Sequence, residues 1–139
     1  MKKTIALRNA VCIAALLTSS SAIADVTAAD VWADWQASLE IYGSDGITVG
    51  TETVDGDTLT ISDLTMSMED EFSTISSQMG PIVFTENGDG SVSVSLPESY
   101  ILAMNIEDDL VVDLEIVQDN LAITVTGDPG AMNLSLIHI

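Results

Sequence analysis

From Ile47 onward, the chain alternates apolar and polar side chains at every second position. This period is typical of antiparallel strands that have one buried face and one solvated face. The clearest runs begin at Leu59, Val92, Tyr100, Leu110 and Leu121. A parallel sheet would need crossover helices between its strands, and the pattern contains none. The sequence therefore predicts a mainly β fold, an antiparallel β-meander that forms a curved open sheet.

Turn-forming clusters separate the runs and recur about every ten residues in the second half of the chain. They lie at 55–57, 87–90, 97–99, 107–109, 118–120 and 127–130. This rhythm is typical of successive hairpins. The alternation slips by one position near Ser62 and Asp63, which predicts a β-bulge there. The apolar residues of segment 69–79 follow neither a helical nor a strand period, and we expect an irregular strand there.

One amphipathic helix precedes the strands. Thr27 is a candidate N-cap, and Asp30 three residues later completes a capping box. Apolar residues follow at helical spacing: Val31, Trp32, Trp35, Leu39 and Tyr42. Gly43 is expected to end the helix. We interpret the two tryptophans as anchors of the helix against the sheet; a stacking platform for a sugar or lipid is the alternative.

The first 24 residues have the features of a secretory signal peptide. A basic start precedes an apolar run, 10–17, that is too short to span a bilayer. Ala22 and Ala24 predict cleavage between Ala24 and Asp25. Cys12 lacks the context of a lipoprotein acylation site. We therefore expect an exported protein; a retained membrane anchor is the alternative.

Cleavage would leave an acidic chain with no Lys, Arg or Cys. Lys2, Lys3 and Arg8 precede Asp25, whereas all 22 acidic residues lie at or after it. Without basic side chains the protein is not expected to bind nucleic acid or an anionic membrane surface. Its 47% hydrophobic content argues against disorder, so we expect one acidic domain.

The many carboxylates raise the question of metal binding and catalysis. Turns 55–57 and 87–90 resemble calcium loops superficially, but the ligand spacing of an EF-hand fails. They are interpreted as hairpin turns, and only weak, non-specific binding of divalent cations is expected. His138 is the sole candidate base near neutral pH. No catalytic, cofactor-binding or metal-ligating residue, and no cofactor, is predicted, although a carboxylate-dependent hydrolase acting on polysaccharide remains an alternative.

Several motifs carry a resemblance to a known family. The signal peptide ends before Asp25-Val26, the helix reads Val-Trp-Ala-Asp-Trp-Gln over 31–36, and 57–66 reads Asp-Thr-Leu-Thr-Ile-Ser-Asp-Leu-Thr-Met. Over roughly 1–133 the chain resembles domain-of-unknown-function family 2125, uncharacterised envelope proteins of Gram-negative bacteria. The resemblance implies a periplasmic location and supplies no catalytic residues. Its members are longer, which implies that this chain is an amino-terminal fragment.

The final residues, 134–139, are predicted to be a non-native tail. Leu134 to Ile139 can be back-translated as CTG TCT CTT ATA CAC ATC, a transposase end sequence used in sequencing libraries. The acidic helix-plus-meander domain would then span 25–133. If the tail is instead a native strand, Met132, Leu134 and Leu136 should face the core. Resequencing from unfragmented genomic DNA distinguishes the two.

These features favour a non-catalytic binding or scaffold module. Its partner would be a hydrophobic ligand or another envelope protein, bound on an apolar face that includes Met66, Met68 and Met104. Methionine-rich surfaces adapt to varied apolar partners. Taken residue by residue, however, we expect these methionines to fill the core beneath the helix.

Overall fold

The computed structural model describes residues 25–41 and 46–138. The predicted signal peptide, Tyr42 and the predicted helix stop at Gly43 lie outside this part. The elements, in chain order, are α1 (Ala28–Glu40), β1 (Ile47–Thr48), β2 (Thr51–Asp55), β3 (Thr58–Ser62), β4 (Leu64–Glu69), β5 (Ser73–Met79), β6 (Ile82–Glu86), β7 (Val92–Ser95), β8 (Ser99–Ile106), β9 (Leu110–Val117), β10 (Leu121–Asp128) and β11 (Ala131–His138).

The helix begins at the predicted capping box. Asp30 N donates to Thr27 Oγ1 at 3.2 Å, and Thr27 N donates to Asp30 Oδ2 at 3.0 Å. Together these bonds satisfy backbone donors that the first turn of a helix would otherwise leave without partners. The predicted N-cap and capping box are confirmed.

The strands form two antiparallel sheets. One has five strands in the order β1-β4-β5-β8-β9, and the other has six in the order β11-β10-β7-β6-β3-β2. Each of the pairs β1–β2, β3–β4, β5–β6, β7–β8 and β9–β10 therefore acts as one long strand broken in its middle. The predicted antiparallel meander with one helix is confirmed, and the breaks divide it into two sheets.

Hairpins and breaks alternate along the chain. Clusters 55–57, 87–90, 107–109 and 127–130 lie at hairpins, as predicted. Clusters 97–99 and 118–120 do not: they lie where long strands break and pass from one sheet to the other. The hairpin prediction is wrong there because turn-forming residues favour any departure from extended backbone, whether a reversal or a kink.

The phase slip near Asp63 is one of these breaks rather than a β-bulge. Thr48 lies opposite Thr65 and Thr51 lies opposite Ser62, so the pairing register is the same on both sides and no residue is inserted. Asp63 instead adopts a φ of 56°, in the left-handed region that Asp tolerates better than most residues.

The region 69–79 is more regular than expected. It ends β4, turns through 70–72 and continues as β5, which pairs with both β4 and β8. The turn is stabilised by Asp70, whose Oδ1 accepts hydrogen bonds from Phe72 N and Ser73 N at 2.8 Å each. The prediction of an irregular strand is therefore wrong for β5.

The core lies between α1 and the six-stranded sheet, where the helix contacts β3 and β6. Phe84 of β6 is fully buried, and its ring centroid lies 5.9 Å from Trp32 and 5.3 Å from Trp35. Such tilted and edge-on pairs add to the free energy of burying the rings. The predicted anchoring role of the tryptophans is confirmed.

The last strand, β11, pairs with β10 along its whole length and includes part of the predicted tail. Met132 packs against the core, whereas Leu134 and Leu136 are exposed. Leu134 and Leu136 lie opposite the buried Val125 and Ile123, so all three residues share the core-facing side of the sheet, as expected, yet the two leucines are exposed on this edge strand. The helix packs on β3 and β6 instead.

Candidate functional site

One face of the five-stranded sheet is almost wholly apolar. Residues that lie directly opposite each other on neighbouring strands share a face, so the registers identify its members. We call the following set the apolar face: Ile47, Leu64, Met66, Met68, Ile75, Met79, Tyr100, Leu102, Met104, Ile106, Leu110, Val112, Leu114 and Ile116, with Ser73 and Ser77 among them.

Burial of the apolar face falls along β4 with distance from the break between the sheets. Leu64, beside the break, is buried in the core, and Met79 packs against it. Farther along, Met68 is 43% exposed, and on β9 Leu114 is 45% exposed. The apolar face is thus part of the core at Leu64 and contacts solvent at Met68 and along β9.

The three methionines singled out in the sequence lie on the apolar face and not in the core. Met66 and Met104 are half-buried, and Met68 is exposed. The core prediction is wrong because these residues belong to β4 and β8 of the five-stranded sheet, whereas the helix packs on the six-stranded one. Their positions match the alternative drawn from the sequence, in which the methionines form a surface of flexible apolar side chains.

Strand β9 departs most from the predicted half-buried pattern. All of its described side chains are exposed except that of Val112, which is half-buried. The cause is its position at the edge of the five-stranded sheet, where β8 is its one neighbour among the strands that the structure describes. Sequence alternation predicted which side chains share a face, but not whether another layer covers that face.

A polar atom lies in the middle of the apolar face. Ser77 is 4% exposed, and within the described part of the chain its Oγ has no hydrogen-bond partner. Its cross-strand neighbours are Met66 and Leu102, which offer no strong acceptor. A buried hydroxyl without a partner costs free energy, so this position is not optimised for stability alone.

A cleft of ≈ 660 Å³ lies beside the β4–β5 and β8–β9 hairpins. Its lining includes Glu69, Asp70, Glu71 and Glu107. The backbone N–H of Phe72, followed by the hydroxyl and N–H of Ser73, lowers the pKa of Asp70 below its usual value. A general acid near neutral pH needs the opposite shift, so Asp70 is not suited to the role of general acid, and its hydrogen bonds hold the turn.

The turns that resemble calcium loops are built for chain reversal. Gly56 has a φ of 59° in the two-residue turn between β2 and β3. In the β6–β7 turn the hydroxyl and then the N–H of Ser91 donate to Asp89 and lower its pKa. Across the residues that the structure describes, no group of three His, Cys, Asp or Glu side chains could hold a metal ion.

No α-helix in residues 25–41 and 46–138 is long and apolar enough to cross a bilayer. Comparisons with protein-family models, curated proteins and solved structures find no match to this chain.

Proposed function

We propose that this protein is a non-catalytic binding module, exported and periplasmic as its resemblance to family 2125 implies. Its apolar face binds an apolar partner. The observation that carries the proposal is the partial exposure of this face, which runs across all five strands of one sheet. Exposed apolar patches of more than a few hundred Å² commonly mark binding surfaces.

The dimensions of the apolar face favour a broad partner. Five strands spaced about 4.8 Å apart give a width of about 20 Å. Small-molecule sites are typically enclosed and bury most of the ligand, whereas this surface is open. A protein surface, or an extended apolar molecule that lies flat, matches its shape better than a compact ligand does.

The charge of the chain restricts the partner further. From Asp25 onward there are 22 acidic residues and no Lys or Arg. A partner with its own negative charge would be repelled, and the long-range field would attract a cationic one. The partner is therefore apolar where it contacts the sheet and neutral or basic around that contact.

Nile red, an uncharged dye that fluoresces in apolar surroundings, tests the proposal. We expect the purified protein to bind it, and the double variant Met68→Gln/Leu114→Gln to lose most of the signal. The matched control is Ile101→Gln, which also replaces an exposed apolar residue, but on the opposite face of β8. If the double variant binds the dye as well as Ile101→Gln does, the apolar face is not the binding surface.

A further inference from the structure

We propose that the hydroxyl of Ser77 donates a hydrogen bond to the carbonyl oxygen of an uncharged, long-chain ester that lies flat on the apolar face. This inference rests on the proposed function and names the class of its ligand. The chain of the ester covers exposed apolar side chains, and its carbonyl is the acceptor that Ser77 lacks.

Ser77 is a polar point enclosed by apolar side chains. It lies on β5, the middle strand of the five-stranded sheet, between β4 and β8. Its nearest neighbours on the apolar face are two residues across the strands and two along β5: Met66, Leu102, Ile75 and Met79. Ser77 is 4% exposed, and its Oγ has no hydrogen-bond partner in the part of the chain that the structure describes. The hydroxyl therefore lies where the sheet itself offers it nothing to bond.

A ligand can remove the cost of burying this hydroxyl. A hydroxyl taken out of water without a new partner destabilises the folded state. A trapped water would need roughly two to four polar partners of its own, and the neighbouring side chains supply none besides Ser77. A hydrogen bond that forms only on binding explains why a hydroxyl, and not a methyl group, occupies this position.

The surroundings of Ser77 define the polar group of the ligand. A serine hydroxyl has one hydrogen to donate, and an ester carbonyl accepts it without bringing an N–H or O–H of its own. An alcohol or a primary amide would add donor hydrogens for which the apolar neighbours have no acceptor. A free carboxylate would be repelled by the 22 acidic residues of the chain and would carry a charge onto an apolar surface. An uncharged ester meets both conditions.

Flexible side chains allow the ligand to reach Ser77. Met66, its neighbour on β4, is half-buried, and its three rotatable bonds let it move aside readily. On the same strand Met68 lies farther from the break and is 43% exposed. The distance along β5 from Ser77 to Ser73, where the strand begins, is about 13 Å. With its carbonyl at Ser77, the ester extends its chain along β5 over Ile75, beside Met68.

Three fluorescent probes with matched chains test the ligand class at physiological salt: pyrene-labelled methyl decanoate, pyrene-labelled decanoate and the hydrocarbon decylpyrene. We expect the wild type to bind the ester and the hydrocarbon, and to bind the anionic decanoate more weakly than the ester. Decanoate that binds as tightly as its methyl ester would overturn the proposal, because the charge of the protein would then not select an uncharged ligand.

Ser77→Ala identifies the hydrogen bond. It should weaken binding of the ester by about tenfold and leave decylpyrene binding unchanged, since only the ester loses a partner. The matched control is Ser76→Ala, on the opposite face of β5, which should change neither affinity. In infrared spectra, the C=O stretch of bound methyl decanoate should lie at lower wavenumber in the wild type than in Ser77→Ala. Equal ester affinities, or equal wavenumbers, in the wild type and Ser77→Ala would overturn the proposal.

The same probes separate this inference from the proposed function. If Met68→Gln/Leu114→Gln binds decylpyrene as well as Ile101→Gln does, the apolar face is not the binding surface, and both proposals fail. If that double variant loses decylpyrene but Ser77→Ala keeps full affinity for the ester, only the inference fails. Sedimentation tests the remaining occupant: a wild-type dimer that Met68→Gln/Leu114→Gln dissociates would assign the apolar face to a second copy and overturn the ester as its ligand.

Discussion

The indole Nε1 of Trp32 donates a hydrogen bond to Glu52 Oε1 at 2.9 Å, which joins the middle of α1 to β2 at the margin of the six-stranded sheet. Trp32 is buried, whereas the carboxylate of Glu52 lies where solvent reaches part of the bond. The same helix is held at its start by Ala28 N, which donates to Glu86 Oε1 at 2.9 Å. These polar contacts between helix and sheet are therefore hydrogen bonds from neutral N–H groups to carboxylates, and not salt bridges.

Replacing Glu52 should destabilise the protein by removing the acceptor for a buried indole. We expect Glu52→Ala to lower the free energy of unfolding by about 1–3 kcal/mol. Glu52→Gln retains an acceptor and should cost clearly less. Chemical denaturation followed by tryptophan fluorescence measures both. Equal losses in the two variants would show that the hydrogen bond is not the source of the effect.

The capping box should make helix stability depend on pH in the acid range. Thr27 lowers the pKa of Asp30 below 3.8, first through its hydroxyl and then through its backbone N–H. A lowered folded-state pKa means that the stabilisation is fully present above pH 3.8 and is lost as pH falls through the folded-state value. The difference in unfolding free energy between the wild type and Asp30→Ala should therefore be constant near neutrality and shrink below pH 3.8.

Thr27→Ala provides the companion measurement. It removes the N-cap acceptor and should cost about 1 kcal/mol. If the difference between the wild type and Asp30→Ala instead grows on acidification, the carboxylate of Asp30 does not stabilise the helix in its ionised form.

Ser77→Ala should stabilise the protein, because it removes a buried hydroxyl whose Oγ has no partner in the described part of the chain. We expect a gain of up to about 1 kcal/mol in the free energy of unfolding. Ser76→Ala is the matched control, since Ser76 occupies the next position of β5 on the opposite face. A loss of stability in Ser77→Ala that exceeds the control would mean that the hydroxyl has a favourable contact after all.

Much of the fold could be predicted because its signals are local. The capping box at Thr27 depends on contacts between residues three positions apart. The alternation around Leu59 depends on successive side chains pointing to opposite faces of one strand. What could not be predicted is how a long strand divides between two sheets. The break at Asp63 differs from a β-bulge only in how the residues on either side of it pair with the neighbouring strand. That pairing depends on distant parts of the chain.

The candidate site could be predicted only in part, for a related reason. The alternation places Met66, Met104 and Leu114 on one face, and the registers confirm that they share it. Whether the helix covers that face depends on which sheet it packs against, and the alternation within the strands does not specify this.

Folding should depend on salt. All 22 carboxylates lie at or after Asp25, where no Lys or Arg can pair with them, and they crowd at places such as the hairpin cleft lined by Glu69 and Glu107. Their repulsion acts over distances comparable to the Debye length, about 10 Å at 0.1 M salt, and screening relieves it. Thermal unfolding midpoints should rise clearly between low salt and roughly seawater ionic strength.

The salt effect can be assigned to screening with two comparisons. Asp34→Lys/Glu40→Lys lowers the net negative charge by about four units and should reduce the dependence on salt, since fewer repulsive pairs remain to be screened. Magnesium chloride and sodium chloride at equal ionic strength should give similar midpoints if divalent binding is weak and non-specific. A larger rise with magnesium would reveal a cation site. Midpoints that stay flat from low to high salt would show that the carboxylates are too far apart for their repulsion to oppose folding.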